Sequence, residues 1–270
     1  MASYDYDIAN LALARLGQGT ITSLAMAGRD SEVCNLFYAA NRDYCLALVN
    51  WTCATEKIHM ARAGKIAITG ITAATPPVIS CTGHLFVTGD LVTVEDVVGM
   101  TEINDGVYIA VTAATGTIHL HDTEGEDVVG AAWTAWASGG YVYRHPGNDW
   151  QYVYDLPTGC IKVLEALDEN LAENASYLWV RVKDLIYCDL EFAAVKYIKS
   201  ETDVTKYDDQ MVDLMAARLA WLICPRISND QTLRTTLNTE WLSFAGQAKM
   251  ANADGAGADE QGENLWVNAR

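Results

Sequence analysis

Hydrophobic positions along this chain follow two rhythms. Near both ends they recur at helical spacing; in the middle they gather in short runs cut by glycine. Ile8, Leu11, Ala12 and Leu16 predict a first helix that starts near Asp5 or Asp7 and stops at Gly17 and Gly19. Ile21 to Leu24 follows as a short extended link. Val33, Phe37, Ala40, Tyr44, Leu48 and Trp51 mark one stripe of a second, longer helix opening at Asp30 or Ser31. Tyr207 to Cys224 predicts a third helix, with Met211, Leu214, Arg218, Trp221 and Leu222 on one side and Pro225 as its breaker. Ser228 or Asn229 can cap a fourth, along which Leu233, Leu237, Trp241 and Phe244 line up.

The middle of the chain has no such period. Residues 78–81, 91–94, 107–111, 117–120 and 141–143 are strand candidates, rich in Val, Ile, Thr and Tyr. Gly83, Gly89-Asp90, Asn104-Asp105-Gly106, Gly116 and Gly139-Gly140 punctuate them as turns. Residues 66–144 contain nine carboxylates and a single basic residue, Arg144 at the edge. After it, 150–154, 161–164, 178–182 and 185–188 suggest a second, small antiparallel sheet or a hairpin.

The expected fold class is therefore α+β. A discontinuous helical-bundle body, 1–65 and 146–250, is interrupted by an inserted all-β barrel or sandwich domain, 66–145. From Ala251 the composition turns to Ala, Asp, Gly and Glu, which predicts a flexible acidic tail, 251–270. That tail ends in Leu265-Trp266-Val267, a docking peg by its chemistry.

With 270 residues, half of them hydrophobic, the chain can bury a sizeable core. Its net charge is −17, from 18 Lys and Arg against 35 Asp and Glu. Such a surface disfavours non-specific adhesion to DNA phosphates, although DNA can pass an acidic wall without sticking. The N-terminus lacks the charge and apolar pattern of a secretion signal, and no apolar run is long enough to span a membrane. Seven dispersed cysteines without a C-x-x-C pair point to reduced thiols made in a cytosol.

Candidate chemistry is sparse. His119 and His121 share one strand face but have no third ligand in reach of the pattern. The acidic clusters at 122–127 and 201–213 lack the spacing of a calcium loop. No phosphate-binding glycine loop and no nucleophile elbow occur. Catalytic, cofactor-binding and metal residues are accordingly expected to be none, and the chain is not expected to be an enzyme.

Two runs of residues carry a resemblance. Ile8 to Gly17, Ile21, Leu24, Cys34, Tyr38, Arg42 and Trp51, then Trp150, Tyr152, Tyr154 to Pro157 and Cys160 to Val163, then Lys196 to Ile198 and Met211 to Ala220 together resemble the head-to-tail adaptors of tailed bacteriophages, the tail tubular protein A class. Gly83-His84, Gly89 to Val94, Val98 to Gly106 and Ser138 to Gly140 are similar to a small β-repeat found in ubiquitin-activating enzymes and in phage tail proteins. Cys81 inherits no role from those enzymes.

The first resemblance implies a virion protein, made in the bacterial cytoplasm, that forms a homo-oligomeric ring of about twelve copies at the head-tail junction. Its implied partners are the portal protein, a tail nozzle or tail tube protein, tail fibres, and double-stranded DNA in transit without specific binding. In that picture Leu265, Trp266 and Val267 dock on the portal, and Asp203, Asp208, Asp209 and Asp213 face the channel. The alternative is a binding module whose β-insert docks a tail fibre or a cell-surface glycan.

Overall fold

The computed structural model describes residues 2–147, 149–171 and 177–267, the side chains of 113 and 252–267 excepted. Its helices are α1 (Asp5–Arg15), α2 (Arg29–Leu48), α3 (Asp209–Ile227) and α4 (Gln231–Val267). Its strands are β1 (Thr55–His59), β2 (Ile66–Ala67), β3 (Gly70–Ile71), β4 (Val78–Ser80), β5 (Leu91–Val98), β6 (Val107–Ala114), β7 (Thr117–His121), β8 (Ser138–Arg144), β9 (Tyr152–Asp155), β10 (Cys160–Leu167), β11 (Trp179–Val182), β12 (Leu185–Cys188) and β13 (Ala194–Lys199).

The chain is thus mostly β, which corrects the expected α+β fold with a helical-bundle body. Among the described residues a seven-stranded sheet and two three-stranded sheets stand beside only four helices. The error lay in the segments assigned to the bundle. Residues 55–59 and 152–199 supply six strands, including Ala194–Lys199, whose short run of β-branched and aromatic residues is buried on both faces. β9 to β12 fall where 150–154, 161–164, 178–182 and 185–188 suggest a small sheet, whereas β1 and β13 carry too few residues to show a period of their own.

Two compact units emerge: 1–56 with 159–164 and 196–270, and 57–158 with 165–195. Residues 57–65 and 145–158 thereby group with the large sheet and not with the helices.

In the first unit α1, α2, α3 and α4 enclose one apolar core containing Ile8, Leu13, Cys34, Tyr38, Leu46, Met211, Leu214, Met215 and Leu219. The buried line of α2 is Ser31, Cys34, Tyr38, Asn41 and Cys45, one position away from the expected stripe. Hydrophobicity alone misses this line because it contains Asn41. That amide is fully buried, donates to the Met215 carbonyl oxygen at 2.9 Å and accepts from Arg218 Nη1 at 2.9 Å. The neighbouring Phe37 and Tyr44 are only partly covered, by Arg226 and Arg218 respectively. Pro225 sits inside the last turn of α3 and does not end it. Asp230, and neither Ser228 nor Asn229, caps α4, accepting from the Thr232 and Leu233 amides at 2.8 and 3.1 Å.

The second unit is organised by the large sheet, ordered β2-β8-β5-β6-β7-β4-β3. Its edge strands β2 and β3 are joined by only Ile68 and Thr69. Ile68 N–H donates to the Gly140 carbonyl oxygen in β8, and Thr69 N–H donates to that of Ser80 in β4. One continuous segment therefore bridges both ends of the order, and the sheet rolls upon itself. Ile79, Val92, Val94, Met100, Ile103, Ala110, Ile118, Leu120 and Val142 fill its interior. A three-stranded sheet, ordered β11-β12-β9, completes this unit. β1, β13 and β10 form the third sheet.

Gly140 tests the rolled sheet. Its φ is +97°, and an added Cβ would lie 2.5 Å from Val97 Cγ2 and 3.1 Å from Ile68 Cδ1. At Gly125, with φ +91°, the same atom would meet nothing within 4 Å. Both Ala variants incur backbone strain of about 1–2 kcal/mol. Gly140→Ala adds overpacking of roughly 1–3 kcal/mol. Urea unfolding is expected to show Gly140→Ala as clearly the less stable of the two; equal midpoints would contradict the closure described.

Candidate docking surfaces

The first unit carries unlike charge at the two ends of α3. The run into its N-terminus is acidic. Glu201 is 5% exposed, with Oε2 2.7 Å from Lys206 Nζ and 3.3 Å from Lys199 Nζ, and with Oε1 accepting from the Thr202 and Asp203 amides at 3.0 Å each. Burial pushes this carboxyl up. The Lys206 ammonium, the Asp203 N–H and Lys199 outweigh that and hold it at about 2.

The four candidate channel residues lie along the following stretch. Asp203 accepts from Thr205 Oγ1 at 2.6 Å and Thr205 N–H at 3.1 Å, bonds that lower its carboxyl. Asp208 caps α3, accepting from the Met211 N–H at 2.7 Å. Asp209 opens the helix and is exposed. Asp213 lies 3.9 Å from Arg15 Nη2 and is half-exposed. Asp203 and Asp208 thus serve the local backbone. Asp209 and Asp213 share, with Asp7, Leu11 and Val212, the wall of an open cleft of about 730 Å³.

Towards the other end of α3 stand Arg29 and Arg226, in contact, and Arg234. Arg29 Nη2 donates to the Arg226 carbonyl oxygen, Arg226 lies 5.7 Å from the Phe37 ring centre, and Arg234 lies 5.6 Å from that of Trp221. None of the three has a carboxylate partner among the described residues. Trp221 and Arg234 line a shallow hollow with Gln231, Thr235 and Asn238. In the sequence these arginines carry no shared local signal, because 29, 226 and 234 belong to no common motif. The readable signal was that each stands at the end of a helical period.

The second unit has a different surface. Arg62 Nη1 contacts both oxygens of Glu95, at 2.8 and 2.7 Å. Its guanidinium carbon stands 4.0 Å from the Tyr143 ring centre and 5.2 Å from that of Tyr152. Lys65 Nζ lies 4.3 Å from the Tyr141 ring centre, and Arg144 pairs with Asp90 at 2.8 Å. Next to Arg62 opens a cleft of about 640 Å³ lined by His59, Glu95, Tyr143, Tyr154, Glu191 and the exposed Phe192. Tyr154 Oη sits 2.6 Å from the carbonyl oxygens of both Leu190 and Glu191. These groups bind and orient one another; no nucleophile with an activating base stands among them.

His121, half of the histidine pair, lies 3.2 Å from Asp127. Among the described residues no three His, Cys, Asp or Glu side chains cluster as metal ligands, and no helix is long and apolar enough to cross a membrane. The backbone of α4 runs to Val267, through part of the segment expected to be a flexible tail. The side chains of Leu265, Trp266 and Val267, the proposed peg, lie outside the described residues. Neither the protein-family models nor the curated proteins include a match to this chain.

The Glu201 cluster gives a pH dependence with a definite sign. Its folded carboxyl, at about 2, is depressed from the ordinary 4.5. Its contribution is therefore present above pH 4.5 and is lost as pH falls toward 2. The stability advantage of the natural chain over Glu201→Gln is expected to be largest near neutrality and to fade through that window, read from urea midpoints at successive pH values. A constant advantage would show that the carboxylate's charge contributes nothing.

Proposed function

We propose that this chain is a structural virion protein of a tailed bacteriophage, forming a ring between the portal at the capsid vertex and the tail. DNA passes through the centre of the ring without specific binding. One observation carries the reading. Residues that bear the adaptor resemblance yet lie some two hundred positions apart meet in a single core: Ile8, Ala12, Leu13, Leu16, Ile21, Cys34, Tyr38 and Trp51 pack in one cluster with Met211, Leu214, Met215, Leu219 and Ala220. A shared core supports reading the scattered matches as one pattern and not as separate coincidences.

The charge supports it as well. A net −17 and the exposed Asp203 and Asp208 suit a wall that DNA slides past. Sequence readout requires donors and acceptors fixed in a groove, which sliding DNA does not permit. Copies of about twelve would close the ring, with the portal on one side and a tail nozzle or tail tube protein on the other. The protein would reach this junction in the virion from the host cytoplasm. No catalytic step is assigned to it.

A second reading is a binding module that docks a tail fibre or a glycan. The cleft beside Tyr143, with Phe192 exposed at its wall, favours it for the second unit. Both roles fit in one molecule.

Electron microscopy of virions carrying a tagged copy tests the proposal. Label is expected at the head-tail junction, in a cyclic arrangement. Label dispersed over the capsid, or a protein absent from virions, would overturn it. Duplex DNA at physiological salt is expected to bind weakly and without sequence preference.

A further inference from the structure

The ring reading leaves open which surfaces of neighbouring copies meet. Resting on that reading, we propose that the arginine end of α3 in one copy docks on the acidic cleft at the opposite end of α3 in the next copy.

Geometry and charge carry this. α3 has 19 residues, a length of about 28 Å at 1.5 Å per residue. Arg29 and Arg226 meet at its last turn and Arg234 lies beside Trp221, earlier in the helix, while Asp7, Asp209 and Asp213 flank its first turns. Arg226 suits the carbonyl end of α3. Arg29 and Arg234 do not suit their own helices: each occupies the first turn, of α2 and α4, where the macrodipole disfavours a cation. Nor does a nearby acid explain them. Asp230 is committed to capping α4, and Asp30 and Glu32 pair with none of the three. In a chain with 35 acidic residues and 18 basic ones, three arginines towards one end of a helix with no carboxylate partner among the described residues are unusual chemistry.

Another copy of the chain offers what this cluster lacks. Its cleft is lined by Asp7, Asp209 and Asp213 together with the apolar Leu11 and Val212; Asp7 also accepts from the Ser3 and Tyr4 amides, and Asp213, half-exposed, lies 3.9 Å from Arg15. The arginine end presents guanidiniums beside Phe37 and Trp221. Unlike patches at opposite ends of one element make a heterologous contact, the kind that closes rings. Arginine forks also match carboxylates in two-point contacts.

Charge exchange tests the interface. One variant is R29E/R226E/R234E; the other is D209K/D213K. Circular dichroism and melting establish that each is folded. Sedimentation in about 50 mM salt, where screening is weak, is expected to show the natural chain associating and each variant alone losing at least tenfold in affinity. A one-to-one mixture of the two variants is expected to associate again, since each reversed patch then meets its complement. The proposal is overturned if either folded variant associates like the natural chain, if the mixture stays monomeric, or if the natural chain does. It is also overturned if the natural chain binds duplex DNA through the same arginines, which would make this end a phosphate site. Virions separate the two ideas. A ring at the vertex that the arginine variant still builds refutes this interface and leaves the adaptor reading intact. Mixed-variant assembly in solution, with no ring in virions, does the reverse.

Discussion

A single buried amide sets the arrangement of the helical unit. Asn41 has no access to water, so each of its polar atoms must find a partner inside an apolar core. It finds two, both on α3: the Met215 carbonyl oxygen and the Arg218 guanidinium. α2 can then neither rotate nor slide along α3 without stranding a polar group. Arg218 is itself constrained, since burial pulls its guanidinium down and the Tyr44 ring, 3.7 Å away, supplies a face in place of water. Apolar packing around this pair provides the bulk of the stabilisation, and the pair fixes the register.

The register has consequences at the surface. Holding α2 against α3 places Arg29 beside Arg226, 197 positions later in the chain. Holding α1 against α3 places Asp7 and Leu11 beside Val212 and Asp213. The opposed charges at the two ends of α3 thus arise from the same core contacts that stabilise the unit. The link from packing to a directional surface is what makes head-to-tail association a reasonable reading.

The β-unit follows a different logic. Its sheet rolls because Ile68 and Thr69 pair with strands at opposite ends of the order, leaving no long free edge. Around Arg62 the same unit collects Glu95, Tyr143 and Tyr152 into a mixed cluster of ion pairing and ring stacking.

The sequence by itself determined the local elements. Helical periods located α1 to α4, and glycine-punctuated runs located β4 to β8, because these patterns report on neighbours three, four or two residues apart. It misjudged the balance of classes, because β1, β13 and the two-residue β2 and β3 are too short to announce themselves, and because β9 to β12, legible as strands, count there only as a minor sheet beside a bundle. It chose the Val33-Phe37-Tyr44 face of α2 over the Cys34-Tyr38-Asn41 face, because a buried asparagine counts as polar in any pattern. The closure of the sheet, the grouping of Arg62 with Tyr143, and the pairing of Arg29 with Arg226 were decided only by tertiary structure. Each depends on contacts between residues far apart in the chain, and no local period encodes which distant partner satisfies a buried polar or charged group.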